Sequence, residues 1–340
     1  MKILIVMDPG IVMPVIGYGG IERIVELLAK EFLRLGNEVH LLVTGGSNVE
    51  GSIMHSFGKL GFPPKKFDAR IAIFTAWKFI WQKRNDYDLI HNFGRLVYLL
   101  PVLNHRVKKI MSYQREITKK NIVIFDNLLN KNMFYTGCSL DLIIRNKLPG
   151  RWSSIHNCCN FAQYDLQINI NDKSPLIFLG RIEKIKGCHT AIDVAIQTGN
   201  DLIIAGNISP LEEEKKYFEE QIQPYIDGVQ IKYVGQVSDV QKNEWLGKSK
   251  ALLMPIEWNE PFGIVMIEAM ACGTPVIAYN RGSVNEVVDE NITGYKVHNK
   301  NEMIAAINKI ELLNRADCRK KAENRFDVKI IAKQYLNLFA

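Results

Sequence analysis

Short apolar runs of strand length alternate with longer amphipathic stretches, and the alternation runs twice along the chain. The first series is ILIVM at 3–7, IERIVELLAKEFLRLG at 21–36, EVHLLV at 38–43, DLIHN at 88–92, KKIMSY at 108–113 and MFYTG at 133–137. The second begins after residue 174 with PLIFLG, a helix from about 187, DLIIAG, a helix near 211–225, IKYVG, ALLMP, a helix from about 263 and PVIAYN. Strand, helix and strand in turn build parallel sheets, because a parallel neighbour needs a crossover that a helix supplies. The predicted fold is α/β, with two doubly wound Rossmann-like domains facing a central cleft. Their bounds are 1–158 and 159–325, with a helix over about 326–340 returning to the first domain. The stretch from Cys158 to Ser174 is polar, has no clear period, and reads as the linker.

A chain of 340 residues exceeds what one core usually serves. With 47% apolar and 23% charged residues it has the balance of a globular chain rather than a disordered one. No run approaches the eighteen or so uninterrupted apolar residues of a membrane span. MKILIVM runs at once into Asp8 and Pro9, so it reads as a first strand rather than a secretory leader. The six cysteines form no CxxC pair, and with adjacent Cys158 and Cys159 they read as reduced, small hydrophobes of a cytosolic protein. The expected location is cytoplasmic, at most peripheral to the inner face of a membrane.

The net charge of +7 is uneven, since residues 1–150 hold 21 Lys and Arg against 12 Asp and Glu. A basic half beside a near-neutral one calls for an anionic partner. No motif of a DNA or RNA reader accompanies the charge, so nucleic acid is disfavoured.

The most informative stretch is PIEWNEPFGIVMIEAMACGTPVIAYN at 255–280. Pro261 pre-sets a helix start at about Phe262 and Gly263, and the first turn offers N–H groups of Gly263, Ile264 and Val265 to a phosphate. Glu260 before that turn and Glu268 in the next flank the anion site. A carboxylate only accepts, so each suits a pair of vicinal hydroxyls, and phosphates between a sugar and a ribose describe a nucleotide-sugar. An acidic helix start that merely complements the dipole is the structural alternative.

The run from Glu260 to Glu268, followed by AMACGTPV, resembles the E-x7-E element of the retaining family four glycosyltransferases, which have the GT-B fold. The likeness extends in order through Gly19 and Gly20 after the first strand, FLGRIEKIKG at 178–187, IIAGN at 203–207 and YVGQVSD at 233–239. It implies that Glu260 contacts hydroxyls of the donor sugar and Glu268 holds the ribose. It also implies that Arg181 and Lys186, in G-R-x4-K-G, neutralise the leaving diphosphate without a metal. Base recognition is expected near Gln236 and Val237, largely through backbone groups.

The loop before Gly20 fits the dinucleotide fingerprint poorly, because its connection is long and the second strand ends without a ribose-binding acid. Gly19 and Gly20 instead let the backbone approach a phosphate. Asp86-Tyr-Asp88 spells a metal-binding DxD, but precedes its strand and so lies at the wrong end of the sheet. His91 and Gln114 are placed on the acceptor side, although a satisfied structural histidine is the preferred reading of His91. Where the family usually has a histidine this chain has Gln114, which can hydrogen-bond a sugar hydroxyl but cannot take a proton. Residues 59–147 hold 17 basic and 6 acidic residues. Within them Phe74, Trp77, Phe79 and Trp81 interleave with cations in the manner of an interfacial helix, and are read in preference as packing on a sheet beneath a wet basic edge, with the charge seeking an anionic acceptor or acidic membrane.

The reading is therefore a retaining, metal-independent glycosyltransferase. It would move a sugar from a UDP- or GDP-sugar to a saccharide or lipid-linked hydroxyl, in the synthesis of cell-surface polysaccharide, lipopolysaccharide or glycolipid. A catalytically silent subunit that keeps the nucleotide-sugar site is the alternative, motivated by Gln114, and a nicotinamide oxidoreductase comes third.

Overall fold

In a computed structural model that describes residues 1–15, 19–59, 61, 65–126 and 132–339, the chain divides into two units. The first spans Met1–Cys158 together with the segment from Val328 on, and the second spans Cys159–Asp327. The parallel sheet of the first unit contains β1 (Lys2–Val6), β2 (Glu38–Val43), β3 (Ile53–Ser56), β4 (Leu89–Asn92), β5 (Lys108–Tyr113), β6 (Met133–Gly137) and β7 (Trp152–Ser154). The strand order is β3-β2-β1-β4-β5-β6-β7. The central strands read as unbroken apolar runs because helices cover both faces, and Ile3 to Val6 of β1 are fully buried.

Helix α1 (Gly20–Arg34) buries Ile24, Val25, Leu28, Ala29 and Phe32, one stripe at helical spacing. The helix Val328–Leu336 packs against α1, so the last described helix belongs with the first strands rather than with the unit that precedes it. Helix α2 (Lys66–Lys83) differs from expectation. Its buried face is narrow, Ala72, Ala76 and Ile80, while Trp77 and Phe79 are half-buried and Phe74 and Trp81 stand in solvent. Small residues let the helix approach the segment Leu96–Val102, where Trp77 Nε1 donates to the Val97 carbonyl at 2.7 Å. Phe67, Ile71, Phe74 and Trp81 are left exposed.

The second unit has β8 (Leu176–Leu179), β9 (Leu202–Ala205), β10 (Ile231–Gly235), β11 (Leu252–Met254), β12 (Val276–Tyr279) and β13 (Gly294–Val297), in the order β10-β9-β8-β11-β12-β13. The strand order reverses at β8 and β11, and ligands of such sheets bind at the carboxyl ends of the strands where the order reverses. All six cysteines are buried thiols outside any disulfide. Among the described residues no helix is long and apolar enough to cross a membrane.

The stretch expected to be a linker is instead fastened to the second unit. Arg319 donates to the carbonyls of Phe161 (2.7 Å), Tyr164 (2.6 Å) and Ala271 (2.7 Å). Arg315 is buried with bonds to the carbonyls of Gln167, Ser249 (2.9 Å) and Gly247 (2.9 Å) and to Thr274 Oγ1 (2.6 Å). Burial lowers the Arg315 guanidinium to about 10, which leaves it charged at neutral pH. Guanidinium groups with several fixed donors are suited to holding such irregular backbone.

Candidate active site

At the carboxyl edge of the second sheet three turns meet through glycine backbone. Gly180 N–H donates to the Ala205 carbonyl at 3.0 Å, and Gly206 N–H donates to the Gly235 carbonyl at 2.8 Å. Gly206 has φ +149°, and a Cβ there would lie 1.8 Å from the Gly180 carbonyl oxygen, so only glycine permits the approach. Gly187, at φ +74°, brings the turn after β8 against β11, since a Cβ there would sit 2.1 Å from the Pro255 carbonyl oxygen. That approach delivers Lys186 to Glu260.

Lys186 Nζ donates to Glu260 Oε2 at 2.6 Å, and Trp258 Nε1 donates to the same oxygen at 3.0 Å. The Lys186 ammonium also stands 4.8 Å from the centre of the Trp258 ring. Glu260 is buried, and its carbonyl accepts from Ser283 N–H at 3.0 Å, which fixes its backbone. Ser283 Oγ donates in turn to the Phe262 carbonyl at 2.8 Å. Arg181, half-exposed on the same edge, pairs with buried Glu183 at 2.7 Å rather than with Glu260.

Gly263 precedes the helix Ile264–Ala271 with φ 75° and no side-chain cap. Among the described residues the N–H groups of Gly263, Ile264 and Val265 have no acceptor, and unsatisfied donors at the positive end of a helix form an anion site. Glu268, buried in this helix, accepts from Lys242 Nζ and from Tyr164 Oη at 3.0 Å, both on Oε1. Burial pushes the Tyr164 hydroxyl up, and neighbouring Glu268 adds to the shift, so Tyr164 remains a donor. Each carboxylate is thus pinned through one oxygen. Among the described residues Glu260 Oε1 and Glu268 Oε2 have no partner.

Gln236 and Val237 follow β10 on this edge, with Gln236 exposed. Ser238 then caps the helix Asp239–Lys248 reciprocally with Gln241, and the same helix carries Lys242 to Glu268. The structure therefore gathers Arg181, Lys186, Gln236, Val237, Glu260, Phe262, Gly263, Ile264, Val265 and Glu268 on one unit. Lys242, Tyr164 and Trp258 join them without having been foreseen. A lysine in a polar helix and a tyrosine in an aperiodic stretch carry no signal of their own.

In the first unit Gly19 caps α1 at φ 153° and Gly20 is its first residue; Gly17 and Tyr18 lie outside the described residues. Burial raises the Glu22 carboxyl in the first turn of α1. Asp8 after β1 pairs with Arg115 after β5 at 3.3 Å and with Arg95 after β4 at 3.6 Å, making a polar rim at the carboxyl edge of this sheet. Gln114 stands on the same rim, and its side-chain oxygen and nitrogen are both buried without a partner among the described residues. A buried unpaired amide costs a kilocalorie or more per group, so such a pair of atoms is a place for a hydroxyl-bearing ligand. Asp88 lies at the opposite edge, where its carboxylate accepts from Lys2 N–H at 2.8 Å, and exposed Asp86 pairs with Lys83 at 3.1 Å.

The acceptor-side placement of His91 is corrected. The ring is fully buried, with Phe93 at 4.2 Å and Tyr335 at 4.6 Å between ring centres, and Nε2 bonds Ser112 Oγ at 2.8 Å. Burial lowers its pKa to about 3, so it stays neutral in the folded chain while an unfolded histidine protonates below about 6.5. Its contribution is complete above pH 6.5 and is lost as pH falls from there toward 3. Between pH 7 and pH 5 this single group is expected to remove about 2 kcal/mol of stability. Urea unfolding at the two pH values should show a smaller acid loss for His91→Leu than for the unchanged protein, and equal losses would exclude His91 as the source.

Residues 162–325 match the family Glycosyl transferases group 1, and residues 18–115 match Glycosyltransferase Family 4. The chain resembles the family four glycosyltransferases. Its two parallel sheets are those of the GT-B fold that these glycosyltransferases share. A phosphatidyl-myo-inositol mannosyltransferase of Propionibacterium freudenreichii subsp. shermanii is 40% identical over 67 residues, 19% of this chain and 18% of that one. An uncharacterized 41.2 kDa protein in the cps region of Klebsiella pneumoniae is 29% identical over 255 residues, 68% of this chain and 65% of the other. The chain thus spans less than two thirds of the length of these curated relatives. A solved structure, Anabaena Alr3699/HepE in complex with UDP-glucose, superposes with a TM-score of 0.75 at 18% identity, covering 99% of this chain and 98% of that one.

Proposed function

We propose that this chain transfers a sugar from a nucleoside diphosphate sugar to a hydroxyl of a saccharide or lipid-linked acceptor, with retained anomeric configuration and without a metal. The observation that carries the reading is the pair of buried carboxylates, each pinned by a lysine through one oxygen, on either side of a helix start with free N–H groups. The helix start takes the diphosphate, Glu268 Oε2 takes a ribose hydroxyl and Glu260 Oε1 a sugar hydroxyl. Lys186 has three donors and spends one on Glu260, so it can hold a phosphate oxygen at the same time. As the bond from the anomeric carbon to the phosphate oxygen breaks, charge grows on the diphosphate, where Lys186, Arg181 and the helix dipole meet it. The acceptor oxygen bonds to the anomeric carbon and its proton passes to the departing phosphate, so no histidine is required at Gln114. The Gln114 amide and the rim of Arg95 and Arg115 are suited to acceptor hydroxyls.

UDP-hexoses are the first donors to test, as the superposing Anabaena protein was solved with UDP-glucose. The name of the phosphatidyl-myo-inositol mannosyltransferase supports a lipid-linked acceptor. Calorimetric titration in EDTA should detect a UDP- or GDP-sugar, with affinity falling about tenfold in Glu268→Ala, the worth of one charge-assisted hydrogen bond. Binding that appears only after manganese or magnesium is restored would overturn metal independence. Binding without any donor hydrolysis or transfer would favour the silent subunit.

A further inference from the structure

On α2 the residues at 67, 71, 74, 78 and 81 follow helical spacing along one line, diametrically opposite the buried Ala72, Ala76 and Ile80. Phe67 is 73% exposed, Phe74 65%, Trp81 52% and Ile71 45%, with Lys78 exposed among them. Four large apolar side chains in one outward row are more than a surface helix needs, and scattered exposure would not align them. The row is bordered by exposed Lys66 and Arg70, while the helix's one acid, Asp68, is half-buried and paired with Lys59 at 3.0 Å. Arg84 lies with its guanidinium 3.8 Å from the centre of the Trp81 ring, a cation held beside the apolar row.

We propose that this face of α2 is a docking surface for a bilayer containing acidic lipid, with the helix lying in the plane of the headgroups. Charge complementarity selects that occupant. Apolar side chains at the centre of the row would enter the acyl boundary, and the bordering cations would meet anionic headgroups, as an interfacial helix requires. A second copy of the same basic surface would set like charges against each other. The helix carries too many charges to span a bilayer. The inference deepens the lipid-linked branch of the acceptor reading, but its readout is lipid binding and not transfer, so the two fail separately.

The test is co-sedimentation with phosphatidylcholine vesicles, with and without phosphatidylglycerol, at low and raised salt. The unchanged protein is expected to pellet with the acidic vesicles at low salt and to be released by salt. The triple variant Phe67→Ser, Phe74→Ser, Trp81→Ser, and separately Arg70→Glu with Lys78→Glu, should each lower the partition by about tenfold or more. All five positions are exposed, and an unchanged circular dichroism spectrum and unchanged nucleotide binding establish that the variants fold. Unchanged protein that stays in the supernatant at low salt, or variants that bind as well as it does, would overturn the proposal. So would a dimer in sedimentation velocity that the triple variant abolishes while vesicles bind neither form.

Discussion

Replacing Lys186 by alanine is expected to lower turnover at saturating donor by a hundredfold or more, about 3 kcal/mol in the barrier, while changing donor affinity much less. The asymmetry follows from where charge develops. Glu268 and its hydroxyl partner interact alike before and during reaction, whereas the diphosphate gains charge only as the sugar leaves, so a cation beside it stabilises the transition state selectively. Lys186 is held for that task from three sides, by Glu260 at 2.6 Å, by the Trp258 ring and by the turn at Gly187. Arg181, paired with Glu183 at 2.7 Å on the same edge, adds a second charge and does not share the Glu260 contact. Steady-state kinetics with saturating donor decides the matter, and an unchanged kcat would remove Lys186 from the chemistry.

Gly206→Ala should damage the protein more than its size implies. A Cβ 1.8 Å from the Gly180 carbonyl oxygen cannot be relieved by a side-chain rotation, so the backbone of one turn has to move. Loss of the left-handed allowance adds to the displacement, for a total of roughly 3 kcal/mol, or a Tm lowered by roughly 6–12 °C. The turn that moves also carries Arg181, so donor affinity should fall as well. Gly228→Ala is the control, since Gly228 has φ +74° but nothing within 4 Å of an added Cβ, and it should cost only the backbone strain. Calorimetry that finds the two variants equally stable would mean that the contact between the turns carries no stability.

The parts of this fold legible in the sequence are those in which the chain repeats a local period. The buried strands β1, β8, β9 and β12 are apolar runs, and the motif from Glu260 to Glu268 lies within one turn and helix, so spacing alone placed both carboxylates at a helix start. The edge strands β3, β7 and β13 were not foreseen, because runs of three or four residues are too short to show a period. The pinning of Glu268 was equally hidden. It joins Lys242 and Tyr164, 26 and 104 positions away, and the Tyr164 carbonyl is gripped by Arg319 from 155 positions away. Polar, aperiodic sequence looks the same whether it is a free linker or a strap tied down by two arginines. The aromatics of α2 misled for a related reason: apolar residues occur on both faces of that helix, and only packing distinguishes the covered face from the bare one.

The return of the helix Val328–Leu336 to the first unit has a consequence for synthesis on the ribosome. The second unit is one continuous segment and can close as soon as it has emerged. The first emerges earlier but stays unfinished, its Phe93 and His91 rings uncovered and the apolar stripe of α1 bare, until Tyr335 follows the second unit out. The order of completion is thus the reverse of the order of translation, and the early half is the one that needs shelter in the interval.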